Sequence, residues 1–71
     1  MKPDVRMQVE LVTEKGVSVA TFENAAVTID SDLDIHIWTQ AGIMNIADEK
    51  YTGFLYSITA NRLTIYLKEN V

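Results

Sequence analysis

Residues 54–68, Phe54-Leu55-Tyr56-Ser57-Ile58-Thr59-Ala60-Asn61-Arg62-Leu63-Thr64-Ile65-Tyr66-Leu67-Lys68, repeat with a period of two on both sides of a short polar break. Phe54, Tyr56 and Ile58 alternate with Leu55, Ser57 and Thr59. Leu63, Ile65 and Leu67 then alternate with Thr64, Tyr66 and Lys68. Successive side chains on a strand point to opposite faces, so this period marks strands rather than a helix. The break, Ala60, Asn61 and Arg62, contains an Asn, which tolerates the left-handed backbone of a tight loop. The stretch therefore predicts a β-hairpin.

The same period runs through the rest of the chain, in Val5, Met7, Val9 and Leu11, in Val17 and Val19, in Val27 and Ile29, and in Leu33, Ile35 and Ile37. Gly16 can take the positive φ that closes a first hairpin after Glu14 and Lys15. Gln40, Ala41 and Gly42 give a further turn, and Gly53 reads as the close of the polar stretch that starts at Asp48. Val5, Val9 and Val12 also fit helical spacing, but their β-branched character favours a strand. Ala47, Asp48, Glu49 and Lys50 are residues suited to one short helical turn. The expected fold is all-β with that one turn: a small antiparallel meander of about five or six strands, forming a curled sheet or a small barrel.

At 71 residues the chain holds a single domain, residues 1–71. So short a chain buries only about 60% of its unfolded surface, and its core is marginal. With no cysteine, disulfides and thiolate zinc sites are excluded. With one histidine, a zinc site would need carboxylates for its other ligands. Burial between copies is the remaining source of stability, so a homo-oligomer is expected. The nominal outer face points the same way, because Phe22, Trp38, Leu55 and Tyr66 fall on it and leave both faces partly apolar.

Ten acidic side chains face six basic ones, for a formal net charge of -4. That sign opposes binding to a polyanion, and Lys2, Arg6, Lys15, Lys50, Arg62 and Lys68 are scattered along the chain. A nucleic-acid partner is disfavoured. No apolar run approaches the roughly 18 residues of a membrane span or forms a signal-peptide core, so the expected location is cytoplasmic, away from membranes.

Asp30, Asp32 and Asp34 have the spacing that opens a calcium loop, but Ile35 stands where that loop needs Gly, and Ala41 where it needs Glu. The run reads as a solvated turn whose carboxylates cap local amides. His36 and Trp38 share a strand face with Asp34, an arrangement that places a carboxylate near an imidazole. No nucleophile motif accompanies them, and Gly16, Gly42 and Gly53 stand alone rather than in a phosphate loop. No catalytic, cofactor-binding or metal-binding residue is assigned, and no cofactor is expected.

The leading expectation is a non-enzymatic protein-interaction module that binds an unidentified protein partner through an apolar and aromatic sheet face. Trp38 is its expected centre, with Tyr66, His36, Phe22 and Leu55 around it. The alternative is an acidic inhibitor or nucleic-acid mimic of phage or mobile-element type, with Glu23, Asp30, Asp32 and Asp34 entering a basic groove on a target. A third reading places a small ligand-binding or enzymatic barrel around His36 and Asp34 at a subunit interface.

Overall fold

The computed structural model describes residues 5–68, so Lys2 and the ends of the 1–71 domain lie outside it. Six strands follow one another: β1 (Met7–Thr13), β2 (Ser18–Ile29), β3 (Ile35–Thr39), β4 (Gly42–Ile46), β5 (Tyr51–Ser57) and β6 (Arg62–Leu67). One 3-10 turn, Asp48–Lys50, precedes β5, and its last amide bonds to Ala47 O at 2.9 Å. The all-β class with one short helical turn is thus the fold.

Three expected hairpins form where small turn residues allow them. After β1 the chain reverses through Gly16 at φ +86°, while Thr13 Oγ1 accepts from the amides of Lys15 (3.3 Å) and Val17 (3.2 Å). After β3 it reverses at Gln40 and Ala41, with Gly42 at φ +138°. Between β5 and β6, Asn61 takes φ +50° and accepts the Tyr56 hydroxyl at 2.7 Å. Gly53 departs from its expected role as a turn residue. It lies inside β5, beside the irregular register between Tyr51 and Gly53, where an added Cβ would meet open space, so the backbone does not require glycine there.

The strand order is β4-β3-β2-β1-β6-β5. Neighbours run antiparallel except β1 and β6, which pair in parallel from Gln8 with Arg62 to Thr13 with Leu67. The expected pure meander is therefore a mixed sheet. Asn61 sets this register, because its carbonyl accepts from Gln8 N and its side-chain amide donates to Arg6 O, both at 3.0 Å.

A bulge bends β2. Val9 lies opposite Phe22 and Met7 opposite Ala25, so β2 carries one residue more than β1 in that interval, with Asn24 at φ +54° absorbing it. The extra residue reverses the side-chain parity. Phe22 and Ala25 then both serve the inner face, and the second half of β2 turns away from β1 to pair with β3.

The chain crosses from β4 at one edge to β5 at the other through residues 47–50, a reach of at most roughly 18 Å from Ile46 to Tyr51. A flat sheet of this order would hold those edges roughly 24 Å apart. The sheet must curl, and it curls without closing: among the described residues β4 and β5 each pair with a single strand. The inner face gathers Val9, Leu11, Ala25, Ile35, Ile37, Ile46, Tyr51, Leu63 and Ile65 into one core. Tyr51 plugs its end and donates its hydroxyl to Leu33 O.

Ile35, Ile37, Ile65 and Val9 are the large side chains with no exposure. Ile65→Ala is expected to cost about 2–5 kcal/mol, a large share of the roughly 4–10 kcal/mol available to a chain of this length. Urea titration followed by circular dichroism measures this, with exposed Val19→Ala changing stability by less than about 0.5 kcal/mol.

Candidate functional site

Two surfaces hold the residues singled out from the sequence. One is the loop between β2 and β3. Asp30 Oδ1 accepts from Asp32 N at 2.9 Å and Asp34 N at 3.1 Å, which folds the segment into a capped turn with Leu33 at φ +68°. Asp30 Oδ2 meets His36 Nε2 at 2.9 Å, and His36 Nδ1 meets Asn45 Oδ1 at 2.6 Å. Asp34 lies elsewhere: its Oδ1 accepts from Asp48 N at 2.9 Å and so ties the loop to the 3-10 turn. The carboxylate beside His36 is thus Asp30 rather than Asp34. The strand had already turned into the loop, so spacing by two no longer kept Asp34 on the histidine's face.

Asn45 was not singled out from the sequence, although its position was available. A two-residue turn at Gln40 and Ala41 pairs Thr39 with Gly42 and hence His36 with Asn45. With an oxygen facing each ring nitrogen, only the imidazolium donates to both. The Asn45 and Asp30 hydrogen bonds hold the His36 pKa above its ordinary value, and the His36 hydrogen bond and the Asp34 amide hold Asp30 below its own. To act as a general base the imidazole would have to give up one of these partners.

Carboxylate oxygens of Asp30, Asp32 and Asp34 approach within 4.8 Å of one another. Both oxygens of Asp30 are already engaged, so the cluster acts first as a turn cap. Glu23 stands apart from it, roughly 20 Å along β2, and accepts from Gln8 Nε2 at 2.5 Å.

The other surface is the free edge at β5. Here Phe54 is 45% exposed, Leu55 63%, Tyr56 43%, and Ile58 just beyond the strand 84%. Phe54 and Tyr56 pair with the core residues Ile65 and Leu63, so they occupy the inner face. Leu55, paired with Thr64, occupies the outer one. The strand carries no charged residue and no proline.

The remaining expected interaction residues do not join this surface as one patch. Trp38 is half-buried on the outer face beside Ala26 and Ile43, with its indole N–H buried and without a hydrogen-bond partner among the described residues. Tyr66 is half-buried beside Val12, which pairs with Ser18 at the opposite end of β2. Phe22 packs against the core rather than lying on the outer face, because the bulge at Asn24 reverses its parity. Of the five residues, Leu55 alone is prominently exposed. Among the described residues no helix is long and apolar enough to cross a membrane. Comparisons with protein-family models, with curated proteins and with solved structures find no match.

The loop gives stability a pH window. Because the folded pKa of His36 is raised, its contribution is full below about 6.5 and is lost as pH rises through the folded value. Because that of Asp30 is lowered, its contribution is present above about 3.8 and is lost as pH falls through the folded value. Thermal unfolding is expected to be most resistant between these limits and to weaken as pH rises through the raised value of His36. His36→Gln should flatten the alkaline decline; an unchanged decline would show that another group causes it.

Proposed function

We propose that this domain is a non-enzymatic protein-interaction module whose docking element is the β5 strand. The supporting observation is an edge strand without charge or proline that leaves apolar side chains exposed on both faces. Edge strands that are to remain solitary usually carry lysine, proline or an inward charge to discourage pairing. Here the backbone offers unpaired groups for strand addition, while Phe54, Leu55 and Tyr56 offer apolar and aromatic contacts beside them.

This reading moves the centre of the interaction from Trp38 to Leu55 and its neighbours. A half-buried indole serves its own sheet, whereas Leu55 has most of its surface to give. The acidic-inhibitor reading has less support, since Glu23 is remote from the aspartates and Asp30 is engaged by His36. The enzymatic reading has less support, since His36 is engaged by Asn45 and Asp30 and no nucleophile motif accompanies it.

A photoreactive amino acid in place of Leu55, introduced in the cells that express the protein, should yield discrete protein adducts. The same probe at exposed Val17 should yield none. Apolar docking predicts that the adducts also form when a lysate is irradiated in about 1 M salt, which would screen a charge-driven contact. Absence of adducts at residue 55, or equal labelling at residue 17, overturns the reading.

A further inference from the structure

We infer that the occupant of the β5 edge is a second copy of this chain, paired antiparallel about a two-fold axis at Leu55. The inference rests on the reading of β5 as a docking element and adds the identity of its partner.

The first argument is register. Antiparallel pairing about Leu55 sets Phe54 opposite the partner's Tyr56, and Tyr56 opposite the partner's Phe54. In each copy these rings share the inner face, so two aromatic pairs form across the seam, the kind of cross-strand contact that stabilises antiparallel strands. Leu55 meets the partner's Leu55 on the outer face, and Gly53 meets the partner's Ser57, where neither side chain obstructs approach. Thr52 meets the partner's Ile58. The pattern is self-complementary, as a two-fold interface requires.

The second argument is charge. Two copies of an acidic chain repel each other, so a lasting contact must avoid setting like charges together. Residues 51–58 contain no charged side chain, and the two-fold register therefore brings none into opposition. The other free edge, β4, also carries no charge and no proline, but it is shorter, five residues against seven, and so offers fewer backbone partners for strand addition.

The third argument is area. From their fractional exposures, Phe54, Leu55, Tyr56 and Ile58 leave on the order of 400 Å² per copy uncovered. If all of it were covered, two copies with the backbone of both strands would approach 1,000 Å², about the lower bound for a specific interface. Joining the sheets also extends two marginal cores into one twelve-stranded assembly, six strands from each copy.

Light scattering after size exclusion should give twice the 8.0 kDa chain mass, at low and high salt, with dissociation on dilution. Leu55→Lys should yield a folded monomer, and Val17→Lys should leave the dimer intact. Because the chain has no cysteine, Leu55→Cys supplies a single thiol per copy. Directly opposed residues of antiparallel strands lie about 4.5–5.5 Å apart at Cα, within disulfide range, so mild oxidation should link this variant quantitatively. Val17→Cys should link only slowly.

A monomer at every concentration, a dimer unaffected by Leu55→Lys, or failure of Leu55→Cys to link overturns the two-fold assignment. If adducts at residue 55 then carry a mass other than this chain's, the second copy is excluded while β5 remains a docking element. If no adducts form, both readings fall together.

Discussion

The parallel contact between β1 and β6 carries the architecture, because it joins two units that would be weak apart. On one side is the meander β1 to β4; on the other is the β5-β6 hairpin, and an isolated hairpin is at best marginally stable in water. Asn61 fastens the junction. Its left-handed backbone closes the hairpin, its carbonyl and side-chain amide hold the start of β1, and its side-chain oxygen takes the Tyr56 hydroxyl. Once the register from Gln8 with Arg62 to Thr13 with Leu67 is set, Leu63 and Ile65 fall beside Val9 and Leu11, and the core follows. The same contact makes β5 an edge, since β6 then has a strand on each side and β5 only one.

Curling is the second consequence. The short crossing from β4 to β5 draws the two edges of the sheet together, and the bulge at Asn24 lets β2 bend far enough to serve both halves. Closure does not follow. Lys68 N bonds to Lys50 O at 2.9 Å, so the end of β6 is held by the 3-10 turn, and the groove beside Met44, Ile46 and Leu11 stays open. An open curled sheet keeps two edges where a barrel keeps none. The apolar surface expected on both faces is therefore only partly absorbed by the fold.

Periodicity and turn chemistry made the elements legible: the hairpins at Gly16, at Gln40 and Ala41, and at Asn61 each stand on a residue whose backbone freedom the loop needs. Strand order was not legible, because neighbouring strands in a sequence of hairpins leave no mark of which distant strand will pair in parallel. That gap explains the differences at the surface. Phe54 and Tyr56 have the parity of core residues, and only their place on an edge leaves them exposed. Phe22 has the parity of an outer residue, and only the bulge turns it inward. Trp38 was correctly placed off the core, but Ala26 and Ile43 beside it leave it half-covered. Around His36, Asn45 followed from hairpin arithmetic, whereas Asp30 could be reached only through the path of the loop.

The asymmetry between the two free edges has a consequence for assembly. If both were equally receptive, β4 of one copy could join β5 of the next, and such a head-to-tail contact has no reason to close, so it would grow into fibres. The five-residue β4 offers that head-to-tail contact fewer backbone partners than the seven-residue β5 offers its own image. In the proposed dimer β5 is satisfied by its own image, and an isologous pair uses it up on both copies at once. A small acidic domain can thus leave one apolar strand exposed in the single chain and still form a finite assembly. In the proposed dimer the net charge keeps copies apart elsewhere, and β5, within the uncharged residues 51–58, is where they meet.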